Sequence, residues 1–143
     1  MVQAKPSSDI LPALLQRLHA GVVIHAADTR ILFANEMAAH LLGLTQDQLF
    51  GKTAIDPAWS FLRDDGTPLP PAEYPVNRVL ATQQPFQDMI AGVNRPTAQN
   101  RVWLQINAYP EFSDAGGIAR VVVAFIDITP LRDAEARQRH LAD

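Results

Sequence analysis

The side chains in this chain that could do chemistry are its histidines, a few arginines and its carboxylates, and their spacing restricts what that chemistry can be. There are four histidines, His19, His25, His40 and His140, and no cysteine. Without cysteine there is no disulfide, no thiolate metal site and no cysteine-linked chromophore. No His-x-x-Glu-like metal pattern, Gly-x-Ser-x-Gly elbow or phosphate loop is present. The acid pair Asp64-Asp65 belongs to the turn signal Asp64-Asp65-Gly66-Thr67, where carboxylates cap local backbone. His25 is different, because strand alternation puts it on one face with Gly21 and Val23. From an inward face it could donate or accept a hydrogen bond to a ligand and report pH, or it could be a core histidine satisfied by a backbone carbonyl. Arg78 could hold a ligand carboxylate in bidentate fashion; otherwise it is a solvated helix residue or a partner for Asp127 or another acid. A cone-shaped isomerase with a His-Asp dyad would need His25 and a carboxylate such as Asp88 to face one cavity. Nothing in the spacing asks for that, and the chain reads as a non-enzyme.

Bulk properties narrow the class. The length of 143 residues, 48% of them hydrophobic, suits one core and one domain. A formal net charge of −3 leaves no basic footprint for nucleic acid. No apolar run approaches the ~20 residues of a membrane span, and the polar start, Met1 to Asp9, is not signal-like. The expected location is cytoplasmic, with residues 1–9 as a disordered leader, 10–129 as the domain and 130–143 as the start of a C-terminal linker helix.

The elements that must position these side chains follow from pattern. Leu11, Leu14, Leu15 and Leu18 recur at helical spacing with Asp9 as a cap, predicting an amphipathic N-terminal helix. Ala20 to Ala26 and Arg30 to Ala34 read as two strands around Ala27-Asp28-Thr29. Asn35 caps a helix from Glu36 to Leu42 that Gly43 ends, and Thr45-Gln46-Asp47-Gln48 is a capping box for a second short helix. The proline-rich middle, residues 51–84, predicts loops and short helical pieces rather than sheet, with Pro75 opening a helix to about Thr82. Phe86 to Val93, Arg101 to Phe112 and Ile118 to Ile128 are then three strands. The last runs without a loop into a polar helix that starts at Thr129 as N-cap and Pro130 as first residue.

This order, with its particular residues, resembles the PAS sensor family over roughly Leu11 to Arg132. The likeness is carried by Gly21-Val22-Val23-Ile24, Ile31-Leu32-Phe33-Ala34-Asn35, Leu42-Gly43-Leu44-Thr45 through Gly51, Asp65-Gly66-Thr67-Pro68-Leu69-Pro70 with Tyr74-Pro75, and the closing Asp127-Ile128-Thr129. One departure is the stretch Arg95-Pro96-Thr97-Ala98-Gln99-Asn100, where the family usually has an Asp-Gly turn. The resemblance implies an α+β PAS fold: a five-stranded antiparallel sheet in the order 2-1-5-4-3, with short helices roofing one face over a pocket. It also implies pocket positions at Tyr74, Asn77 and Arg78. Haem-binding relatives draw an axial histidine from the helix before the third strand or nearby, and residues 70–84 contain none. Neither haem nor a cysteine-linked flavin or chromophore is therefore expected, and an unidentified small-molecule ligand stays open.

Alternation divides the sheet. Leu104, Ile106 and Ala108 should face the pocket with Val123, Phe125 and His25, while Trp103, Gln105, Asn107 and Tyr109 face outward. Met89 is a core residue or an adaptable pocket wall, and Trp59 and Phe61 close or fill the cavity. The last strand is apolar on both faces, so its outer side needs a cover. The expectation is a homodimer in which Leu11, Leu14, Leu15, Leu18, Trp103 and Tyr109 exchange contacts. Beyond Thr129, Leu131, Ala134, Gln138 and Leu141 begin a coil seam or an ordinary amphipathic tail. The expected role is a sensory domain of a larger bacterial signalling protein, with Asp127 latching the strand end to its neighbour and Thr129 starting the helix. The output domain would be a histidine kinase, a cyclic-dinucleotide enzyme or a DNA-binding regulator. The alternative is a dimerisation module with a core filled by its own side chains.

Overall fold

The computed structural model of the chain describes residues 19–52, 60–95 and 100–142, with side chains through Arg139. The expected leader, the leucine-striped helix with Asp9, Leu11, Leu14, Leu15 and Leu18, Trp59, and the Pro96 to Gln99 turn lie outside these residues. The first hairpin pairs β1 (Gly21–Ala26) with β2 (Ile31–Ala34). Its turn closes through Thr29, whose φ of 76° is left-handed, and through the Asp28 carboxylate, which accepts from the Arg30 amide at 3.1 Å.

Asn35 then turns the chain from strand to helix. Its Oδ1 accepts from the Ala38 amide at 2.9 Å, capping α1 (Glu36–Leu42), and also from the Val22 amide at 3.0 Å. Its Nδ2 donates to the Ala20 carbonyl at 2.9 Å. One fully buried amide thus ties the start of β1 to the roof. Gly43, at φ 78°, ends α1, and a Cβ there would lie 2.9 Å from the Arg95 side chain. The capping box between Thr45 and Gln48 starts α2 (Gln46–Leu49) with both reciprocal bonds formed.

The middle of the chain departs from expectation. Ser60–Leu62 forms β3, pairing with β4 (Phe86–Arg95) as Phe61 opposite Val93, so the sheet has six strands rather than five. The Asp64–Thr67 turn folds this short edge strand back on itself, with Leu69 donating to the Phe61 carbonyl at 3.0 Å. A 3-10 turn (Pro71–Glu73) leads into α3 (Pro75–Thr82), with Pro75 in the first turn and Gln83 left-handed at the end. The β4–β5 pair, with β5 spanning Asn100–Phe112, bulges between Phe86 and Met89 at the left-handed residue Asp88.

β6 (Ile118–Asp127) lies between β1 and β5, and the full order is β2-β1-β6-β5-β4-β3. With β3 left out, this is the expected 2-1-5-4-3. α1, α2 and α3 cover one face, and one apolar cluster fills the space between them and the inward residues of β1, β4, β5 and β6, Val121 and Val123 among them. The last helix, α4 (Thr129–Ala142), follows β6 after a single residue, Ile128.

Candidate functional site

The inward face holds a small cavity of about 50 Å³, lined almost wholly by carbon. His25, Leu104, Ile106, Val123 and Phe125 meet there from the strands, and Tyr74 joins them from the end of the 3-10 turn. Asn77, Arg78 and Met89 do not line it. Asn77 donates to the Pro71 carbonyl at 2.9 Å, bracing the 3-10 turn against α3. Arg78 is exposed, with its guanidinium 4.4 Å from the Phe86 ring centre. Met89 packs half-buried against the core. Val23, Ile31, Leu42, Pro75 and Val76 complete the wall. The signal for Val23 was its place between Gly21 and His25, whereas no local pattern marks the others as cavity residues.

Three features set the cavity's shape. Gly21 faces Phe125 across the β1–β6 pair, and a Cβ on it would lie 2.4 Å from the Phe125 ring, so only glycine leaves that ring its place. The Phe61 and Tyr74 rings meet edge to face, 4.7 Å apart, at the rim. Behind them Arg63 holds Glu73 through two bonds of 2.9 and 2.8 Å, fixing the 3-10 turn that presents Tyr74 to the end of β3.

His25 is the polar exception. Its side chain is 7% exposed, and Nδ1 lies 2.7 Å from the Thr29 carbonyl. A carbonyl only accepts, so the proton sits on Nδ1 and Nε2 carries a lone pair. Nε2 makes no hydrogen bond to the described residues. Leaving such an acceptor dry costs about 1–3 kcal/mol. Burial pushes the imidazole below its ordinary pKa, against a smaller opposing effect of the Thr29 bond. Asp88, the carboxylate an isomerase dyad would need, is exposed and accepts from Gln105 at 2.7 Å. Gln105 belongs to the outer face of β5, so His25 and Asp88 do not share a cavity.

A second constellation lies where the sheet becomes helix. The Ile128 amide donates to the Trp103 carbonyl at 2.8 Å, and the Trp103 amide donates to Thr129 Oγ1 at 2.8 Å. The Asp127 carboxylate accepts from the Thr129 amide at 2.8 Å. Asp127 therefore caps the start of α4, while Thr129 reaches the neighbouring strand. Thr129 starts α4, as expected, but it also makes the bond to the neighbouring strand that was expected of Asp127, because the strand pairing puts the Trp103 amide opposite the hydroxyl and leaves the carboxylate exposed beside its own chain. One turn on, Arg132 lies 4.0 Å from the Trp103 ring centre and pairs with Asp64 in the turn after β3. Trp103 thus faces outward as expected, and the first turn of α4 packs on it. Tyr109 and Ile126, also outward, are 47% and 45% exposed.

The strand order, the roofing helices and this junction define the class. The chain matches the PAS fold family over residues 15–133 and belongs to it. No curated protein matches its sequence. Among solved structures it is similar to the PAS domain of an HTR-like protein from Haloarcula marismortui, at 14% identity and TM-score 0.63, covering 85% of this chain and 91% of that one. The PAS domain of BvgS from Bordetella pertussis aligns at 16% identity and TM-score 0.58, covering 94% and 96%. An RNA-binding light-oxygen-voltage receptor aligns at 15% identity and TM-score 0.63 over 99% of this chain, which spans 41% of that receptor's chain. At these identities the likeness is one of fold. No helix among the described residues is long and apolar enough to cross a membrane.

Proposed function

We propose that this domain is a cytoplasmic sensory module in a larger bacterial signalling protein. A change at the cavity face of its sheet alters the angle or register of α4 and so an attached output domain. A histidine kinase, a cyclic-dinucleotide enzyme and a DNA-binding regulator are the output classes that fit. The observation that carries this reading is the junction: β6 is flanked on both sides, contributes Val123 and Phe125 to the cavity, and continues into α4 after one residue that Trp103 holds. Packed interiors are stiff, so a displaced β6 moves its attached helix rather than dissipating in a loop. In the natural protein, Asp127→Ala and Thr129→Val should uncouple output from stimulus while the domain stays folded. Normal regulation in both variants would refute the relay.

A homodimer is part of the same proposal. Exposed Tyr109 and Ile126 supply outward apolar side chains suited to a second copy. A specific observation favours the second reading, a dimerisation module without a ligand. A cavity of about 50 Å³ is far below the roughly 300–1,000 Å³ of drug-sized ligand sites. Saturable binding of any small molecule at the cavity separates the two readings, since only the sensory one requires it.

A further inference from the structure

We propose that the cavity takes a small, uncharged, mostly apolar molecule that presents one hydrogen-bond donor to His25 Nε2, in the size class of a short-chain alcohol. The inference rests on the sensory reading and specifies its ligand.

Four observations lead there. The Thr29 carbonyl fixes the proton on Nδ1, so the nitrogen left over can only accept. His25 is more than nine-tenths buried and lines the cavity, and Nε2 has no partner among the described residues, so a guest is what would satisfy it. Among the described residues no charged side chain lines the cavity, and Arg78, the cation that could have clamped a carboxylate, lies outside over Phe86. A charged guest would enter uncompensated. Size sets the last limit: an engineered cavity of about 150 Å³ holds benzene, and a third of that volume holds only a few heavy atoms. Burial also keeps the imidazole neutral near pH 7, which preserves the lone pair the guest needs.

The test compares propan-2-ol with acetone, which has the same heavy-atom framework and no donor. Both are titrated into the ¹⁵N-labelled chain while the His25 ring nitrogens and the methyls of Val23, Ile106 and Val123 are followed by NMR. The proposal predicts saturable binding of propan-2-ol, an upfield move of the Nε2 resonance with the same midpoint, and affinity about tenfold above that of acetone. His25→Phe should abolish the preference; if that variant does not fold, the Nε2 resonance of the unaltered chain decides alone. Equal binding of both probes with Nε2 unmoved overturns the donor assignment and leaves the sensory reading standing. Saturable binding of neither, as when one trapped water already satisfies Nε2, overturns the inference and leaves the relay, which rests on the β6–α4 junction, to its own test.

Discussion

At His25 one ring nitrogen is committed to Thr29 and the other has no partner among the described residues, so the residue is a structural clasp and, under the proposal above, a receptor as well. Its lowered pKa has a measurable consequence for stability. The unfolded chain binds the proton with a pKa of about 6.5, the folded chain only at lower pH. Stability should therefore be complete above that value, fall as pH drops through it, and level off below the folded pKa. Urea midpoints between pH 7.5 and 5 should show this slope, and His25→Phe should flatten it. Asp28 and Asp65, held below the usual carboxylate range by hydrogen bonds from Arg30 and Thr67, change charge at lower pH and leave this window alone. Asn35 is the other residue with a large expected effect. Asn35→Ala removes a helix cap and strands the Val22 amide, which should cost about 3 kcal/mol in chemical denaturation. The cap was legible because Asn before an apolar helix is a local signal. Its bonds to Ala20 and Val22, some 13 to 15 residues away, were not, since nothing local encodes the partner.

Among the elements, those with chemical punctuation were legible to within a residue or two. Asn35 and Gly43 bound α1, the Thr45–Gln48 box opens α2, and Pro75 opens α3. β3 was hidden because three residues beside a proline-rich stretch carry no alternation, and its pairing comes from β4. The α4 junction was half legible. Asp127-Ile128-Thr129 marked the place, but which side chain reaches β5 depends on a cross-strand register that sequence does not state. The clamp from Arg132 to Trp103 and Asp64 joins residues up to 68 positions apart and had no signal. It links the first turn of α4 to the turn after β3, close to the Arg63–Glu73 pair that braces Tyr74. Thr129→Val should speed amide exchange at Trp103 and Ile128 by about tenfold, the effect of one lost hydrogen bond. Arg132→Ala should speed exchange in the first turn of α4 and leave α1 unchanged.

For the whole molecule, fold class was legible because several weak motifs occur in one order, each tied to a turn or cap. The cavity's volume was not, since it is the remainder after side chains from β1, β2, α1, β3, α3, β5 and β6 have packed. The outward apolar residues belong to this scale too: if the proposed dimer forms through them, the unaltered domain should sediment as a dimer and Ile126→Glu as a monomer. The central claim is that the cavity and α4 are one mechanical unit, joined through β6 and Trp103. Xenon tests it most directly, being a small apolar atom that enters dry cavities and needs no donor. Under xenon pressure, NMR should show the amides of Trp103, Ile128, Thr129 and Arg132 moving with the same midpoint as those of Val123 and Phe125, and Thr129→Val should remove the first group's response. Cavity amides that saturate while Ile128 to Arg132 stay still would contradict the account.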